Sequence, residues 1–249
     1  MRPAPGLMRP RHRATLLSHE EKIAMKRETS SAYRLIPAAR FHLFTPAFDL
    51  ICTLMGLGIR FADRVVRTVQ IPLNARVLDA GCGTGRLARA VKLRCPDTEV
   101  IGLDADPRIL EIARRKAARR DLDVKFFEGF VEAMPFPDES FDLVISVLVL
   151  HHLPGEVKTH ACREMFRVLR PGGRAIIADY GPPHGWPATL VAAVMRWGRF
   201  ERTAENFAGR IPSMLHEAGF DPVHEIFHSA WSITCLEAWN DLAVLAERS

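Results

Sequence analysis

The chain has 249 residues, 48% of them apolar and 25% charged, with a formal net charge of +5. That length holds one large domain or a domain with an appendage, and the composition is that expected of a soluble globular protein. No run reaches the length of a membrane span, because the most apolar candidate, 41–61, is interrupted by His42, Pro46, Asp49 and Arg60. The five cysteines, Cys52, Cys82, Cys95, Cys162 and Cys235, are odd in number, and no pair has C-x-x-C spacing. This argues against a disulfide framework and a zinc site, so no metal is expected, and it argues for a reducing cytosol.

The opening stretch places Arg2, Arg9, Arg11 and Arg13 before the first acid, Glu20. Residues 1–29 are expected to form a flexible basic stretch, not a secretory signal, for want of an apolar h-region. The composition changes at Ser30. Residues 30–70 form a dense apolar segment divided by Pro37 and Pro46. Helices are predicted over 49–55 and 58–69, the second with Ile59, Ala62, Val65 and Val66 on one face. Two readings stay open for the segment: a helical layer on the core, or a lid over an active site for an apolar substrate. Phe41, Phe44 and Phe48 fit both, the core reading being the commoner.

Residues 75–86 read ARVLDAGCGTGR. A short apolar run carries Asp79, breaks into Gly81, Gly83 and Gly85, and then opens a helix at Leu87. Strand, glycine turn and helix start together suit the polar or anionic part of a nucleotide-like ligand. The spacing is not the G-x-G-x-x-G of a dinucleotide fold, because the third glycine falls one position early. The turn resembles motif I of the class I S-adenosylmethionine (SAM) methyltransferases, D/E-x-G-x-G-x-G. Cys82, inside it, reads as a small filler and not a nucleophile.

A second strand is predicted over 97–103, with Asp104 at its end. An acid there suits a ribose, since a carboxylate accepts from both vicinal hydroxyls. Asp106-Pro107 opens a helix through about Arg120. Its Arg114, Arg115, Lys116, Arg119 and Arg120 read as a solvated face, since no aromatics interleave for base stacking. A third strand is predicted over 124–127, and residues 129–142 follow it with the sequence GFVEAMPFPDESFD. This stretch resembles the G-D-A-E-x-L-P-F-x-D-x-S-F-D signature of the ubiquinone/menaquinone-biosynthesis type of SAM methyltransferase (methyltransferase type 11). It departs at Phe130, where the family has the acid that takes the adenine amino group. A continuous apolar run, 141–150, reads as a strand buried on both faces, closed by His151-His152-Leu153-Pro154. The family has a similar L-H-H-L beside the transferred methyl group. Its R-V-L-R-P-G-G sequence recurs at 167–173 as a turn between a helix, 156–169, and a fifth strand, 175–178. The N/D-P-P-Y/F sequence of adenine methyltransferases is absent from the end of the fourth strand, so no nucleic-acid partner is expected.

Beyond Gly181, a helix is predicted over 188–200 and another over 206–218, then two closing strands over 220–228 and 229–237. The fold the resemblance implies is α/β: a Rossmann-like, doubly wound, seven-stranded sheet, mostly parallel, its last strand antiparallel, with the methyltransferase domain spanning 71–249. The resemblance implies SAM as cofactor. It assigns Asp79, Gly81 and Gly83 to the methionine end, with Cys82 and Gly85 completing the turn, and Asp104 to the ribose. Ala105, Phe130 and Val131 then serve the adenine, and Ser146 and Val147 the methionine amino group or sulfur. His151, His152 and Tyr180 are the candidate bases, with Asp179 and His184 nearby, after the carboxyl ends of the fourth and fifth strands. The acceptor it implies is small, quinone-like or lipid-like. Peripheral membrane contact, the oligomeric state, a protein or nucleic-acid acceptor, and a SAM-binding protein without methylation activity (favoured only by Phe130) all stay open.

Overall fold

The computed structural model of the chain describes residues 59–186, 189, 192–193, 201–229 and 232–241. The basic stretch 1–29, the segment 30–58 with its helix over 49–55, and most of the helix expected over 188–200 lie outside the described residues. The described elements run in the order α1 (Ile59–Thr68), β1 (Arg76–Ala80), α2 (Arg86–Arg94), β2 (Glu99–Asp104), α3 (Pro107–Ala118), β3 (Val124–Glu128) and β4 (Phe141–Val147). After them come α4 (Gly155–Val168), β5 (Leu169–Tyr180), α5 (Ala204–Phe207), α6 (Ile211–Ala218), β6 (Val223–His228) and β7 (Ile233–Trp239).

The strands form one seven-stranded sheet in the order β3-β2-β1-β4-β5-β7-β6. Parallel pairing joins β3 through β5, and β7 runs antiparallel to both of its neighbours. This is the expected doubly wound sheet with a reversed last strand. Both faces of the central strands are buried, which is why 77–80, 100–103 and 143–146 read as apolar runs rather than alternations. One face packs Val77, Val100, Leu143 and Ile176 against Val65 of α1, Leu87 and Val91 of α2 and Leu110 of α3. The other packs Leu78, Ile101, Val144 and Ile177 against Ala161, Met165 and Val168 of α4 and Leu215 of α6.

The helix boundaries have local causes. Asp106 caps α3 by accepting from Arg108 N at 2.9 Å, with Pro107 at the first helical position. In α4 the buried residues Val157, Ala161, Met165 and Val168 recur at helical spacing. α1 buries Ala62, Val65 and Val66 of the face anticipated for it, and Phe61 beside them.

Three boundaries differ from the sequence reading. The run 141–150 does not stay a strand: β4 stops at Val147, Leu148 turns to φ +58°, and a 3-10 turn, Leu150–His152, follows. The helix expected over 206–218 is two, α5 and α6, split where Gly209 takes φ +72°. The Pro-Gly-Gly turn lies inside β5, which pairs Leu169 with Phe141, shifts register, and pairs Arg174 with Leu143.

Gly85 takes φ +69°, and a Cβ on it would meet the Phe126 ring at 2.9 Å and Ala113 Cβ at 3.1 Å. Gly85→Ala is therefore expected to destabilise the protein by more than about 1 kcal/mol, read as a lower midpoint in urea at unchanged slope.

Candidate functional site

The parallel register brings Ala80, Asp104, Val147 and the end of β5 to one edge of the sheet, where the strands' carboxyl ends leave a cleft. The turn after β1 is built by backbone and carboxylates. Gly81 N and Cys82 N both donate to Leu103 O, at 2.8 and 2.9 Å. Asp79, buried at 3% exposure, accepts from Ala88 N at 3.0 Å and so caps α2 from the preceding strand. A Cβ on Gly81 would lie 2.4 Å from Val149, whereas one on Gly83 would meet nothing within 4 Å. Gly81 is thus a packing requirement. Gly83, at φ +51°, faces open space where a ligand can approach the backbone.

Asp104 ties the second loop to the first. One of its oxygens accepts from Gly83 N at 2.8 Å, the other from Asp106 N at 3.0 Å. Burial raises the pKa of Asp104, against the pull of these N–H groups. Burial also pushes Asp79 up to about 7, opposed by the Ala88 N–H and helped by the charge of Asp104. Each of the two carboxyls therefore keeps its proton to a higher pH than an exposed one would. Cys82 is buried against Gly102, and burial followed by the nearby Asp79 charge raises its thiol pKa, so it is inert filler.

The other side of the cleft is the loop after β3. Phe130 is half-buried and its carbonyl accepts from Ala133 N at 3.1 Å; Val131 is buried. Glu164 of α4 accepts from Met134 N at 2.7 Å, and Arg167 donates to Phe136 O and Met134 O, so α4 clasps this loop. Ala105 is half-exposed next to Asp104, and Val147 is half-buried at the end of β4. Ser146 is 1% exposed, and its hydroxyl has no hydrogen-bond partner among the described residues.

Beyond β4 the 3-10 turn carries His151 and His152. His151 Nδ1 lies 2.9 Å from Asp179 Oδ1, and His151 N donates to Asp179 Oδ2 at 3.3 Å. Oδ1 also accepts from Tyr180 N at 2.7 Å and from Asn206 Nδ2 at 3.2 Å. Burial pushes Asp179 up, but the charge and hydrogen bond of His151 and the two backbone N–H groups outweigh it, leaving the carboxyl below its ordinary range. The His151 ring meets His152 at 3.8 Å between centroids and the edge of Tyr180 at 4.9 Å. Partial desolvation, then the charge of His151, lowers the pKa of His152. Three expected residues, His151, His152 and Tyr180, are thus brought together with Asp179. His184 is not: its ring stacks on His228 of β6 at 4.8 Å. Asn206 had no signal in the sequence, because 27 positions separate it from Asp179. A recess of about 130 Å³ lined by Ile177, Tyr180, Ile211 and Leu236, among others, borders Asp179.

Sheet order, glycine cradle and paired edge carboxylates together define a Rossmann-like methyltransferase fold. A family model described as a methyltransferase domain matches residues 77–173. A demethylmenaquinone methyltransferase of Thermus thermophilus is 39% identical over 145 residues, 57% of this chain and 65% of that protein. One of Lactiplantibacillus plantarum is 31% identical over 209 residues, 74% of this chain and 87% of that protein. The chain spans about 65% and 64% of the lengths of the relatives from Thermus thermophilus and Deinococcus radiodurans. Among solved structures, a SAM-dependent methyltransferase of Thermotoga maritima superposes with TM-score 0.60 at 20% identity, over 81% of this chain and 98% of that one. A Haemonchus contortus phosphoethanolamine N-methyltransferase, crystallised with S-adenosylhomocysteine, gives 0.56 at 22% identity over 68% of this chain and 38% of that one. The chain belongs to the class I SAM-dependent methyltransferases of the quinone-biosynthesis type. SAM is its cofactor, and the open face of Gly83 beside two carboxyls fits that group.

Because the folded pKa of Asp179 lies below its unfolded value, its ionised form stabilises the fold above the unfolded pKa, and that contribution is lost as pH falls through the folded pKa. Asp179→Asn is expected to cost about 1–3 kcal/mol at pH 7, with the gap to wild type narrowing in thermal melts below about pH 4.

Proposed function

We propose that the chain transfers a methyl group from SAM to a small, apolar or aromatic acceptor whose reacting site gains nucleophilicity by losing a proton to His151. The observation that carries this reading is the His151–Asp179 pair, at 2.9 Å, at the end of the cleft. The cofactor supplies an electrophilic methyl on a sulfonium. Asp79, Gly81 and Gly83 hold its methionine end, with Ser146 and Val147 alongside. Asp104 receives the ribose hydroxyls on the lone pairs that Gly83 N and Asp106 N leave unused. Ala105, Phe130 and Val131 line the adenine place; with Phe130 in the family's acid position, the ring is held by apolar contact and by the backbone.

An ionised carboxylate only accepts hydrogen bonds, so Asp179 fixes the proton of His151 on Nδ1 and leaves Nε2 as the basic nitrogen. Tyr180 and His152 wall the ring and limit its rotation. The rest of the rate comes from holding donor and acceptor at near-attack distance and excluding water. The names of the relatives favour a quinol-type ring, whose deprotonation makes the ring carbon nucleophilic. Among the described residues no helix is long and apolar enough to cross a membrane, and four cysteines are free. Free thiols favour a reducing cytosol as the location.

The test is an acceptor assay with radiolabelled SAM on quinols, phenols and lipids. Demethylmenaquinol is expected to be methylated, and His151→Ala to lower the rate about 10²–10⁴-fold; transfer at the wild-type rate in that variant overturns the base assignment. Calorimetry reads the cofactor side. Asp104→Ala is expected to weaken SAM binding at least about tenfold, the loss of a charged hydrogen-bonding partner. The ionised form of Asp79 is the better partner of a cation, so affinity is expected to rise with pH toward about 7 and level off above it. The slope is at most about tenfold per pH unit for one linked proton. Asp79→Asn should flatten that slope.

A further inference from the structure

Oδ1 of Asp179 accepts from three donors: His151 Nδ1 at 2.9 Å, Tyr180 N at 2.7 Å and Asn206 Nδ2 at 3.2 Å. One of these is at the end of β5, and one lies in the 3-10 turn after β4. The third comes from a separate segment. Asn206 is fully buried, yet α5, which carries it, is a single four-residue turn. One helical turn does not hold itself in place.

It is held from outside. Lys158 of α4, completely buried, donates to Glu205 Oε2 at 3.1 Å and to the Arg202 carbonyl at 2.5 Å. Gly155, at the start of α4, makes room for the Glu205 carboxylate: a Cβ there would lie 2.5 Å from Glu205 Oε1. Arg202 in turn donates from Nη1 to His152 O at 3.1 Å, tying the same segment to the turn that carries the histidines. The ring of Phe207 completes the contact, 5.6 Å from that of Tyr180. Desolvating a lysine is costly, and a pair of this kind is better suited to specifying geometry than to adding stability.

We propose that Asn206 is a positioning residue for methyl transfer. Its Nδ2 fixes the Asp179 carboxylate and, through it, the ring of His151, while the Lys158–Glu205 clamp delivers it to that place. This rests on the general-base reading of His151. Asn206 acts only through Asp179. Without its N–H the carboxylate loses one of the donors that set its orientation, the ring loses a fixed partner, and both imidazole tautomers become populated.

The experiment uses the full chain with S-adenosylhomocysteine bound. Long-range ¹H–¹⁵N correlation spectra, assigned with His151→Ala, report the tautomer of His151 whatever the acceptor is. Wild type is expected to show the Nδ1–H form alone. Asn206→Leu keeps the size and removes the donor; it is expected to give mixed tautomers and faster exchange of the Nδ1 proton, with S-adenosylhomocysteine affinity within about twofold of wild type. Asn206→Ala serves as a second variant if the leucine is not accommodated.

With demethylmenaquinol as acceptor, Asn206→Leu is expected to lower kcat about tenfold at unchanged KM, the scale of losing a supporting hydrogen bond. In a His151→Ala background it is expected to add nothing. An unchanged Nδ1–H form in both Asn206 variants, or an additive effect in the double variant, overturns the proposal. If His151→Ala alone leaves the rate intact, it is the general-base reading that fails, and the tautomer spectra still judge whether Asn206 sets the ring.

Discussion

One carboxylate holds the loops after β1 and β2 together. Asp104 receives Gly83 N on one oxygen and Asp106 N on the other, so the loops that leave β1 and β2 are fixed to each other. The neighbouring bonds from Gly81 N and Cys82 N to the Leu103 carbonyl extend the same staple along β2. Neither contact forms unless β1 and β2 lie parallel and in register, with Ala80 opposite Leu103. The cleft is therefore a property of the sheet, and its flanking helices inherit their starting points from it: α2 from the carboxylate of Asp79, α3 from that of Asp106.

The ends of β4 and β5 obey a different rule. There, polar groups are sealed into an apolar core, and each must find partners inside the protein. Asp179 does so with four donors drawn from three stretches of chain. The result is a charged group that stays ionised in spite of burial. A site of this kind depends on complete satisfaction: removing one donor leaves the others in place but no longer unique in geometry.

How far all this could be read beforehand differs from residue to residue. The glycine turn, Asp79 and Asp104 were legible because they are local: strand, break and helix follow within a dozen residues, and Asp104 ends the next strand. The alternation of strands and helices was legible from the order of apolar runs and turn signals, whereas the reversed last strand came only with the resemblance to the class I methyltransferases. The end of β4 was not. Residues 141–150 are apolar throughout, and periodicity cannot see that Leu148 N bonds Ala178 O while its backbone enters the left-handed region. The break at Gly209 was hidden in the same way, inside a stretch of helical character. The role of Asn206 had no local trace, since it arises only when α4 presents a buried lysine to a segment 44 positions away. Long-range polar contacts between single residues leave no pattern in one sequence.

The clamp on α5 also bears on how the end of β5 is held. Gly181 is pinned by its N–H to Ser232 O at 2.7 Å, and the segment from Arg202 to Glu205 is pinned to α4. The Asp179 carboxylate therefore takes its place from two directions at once, along β5 through Tyr180 N and across the fold from α4 through Asn206, so a change on either side reaches the same oxygen.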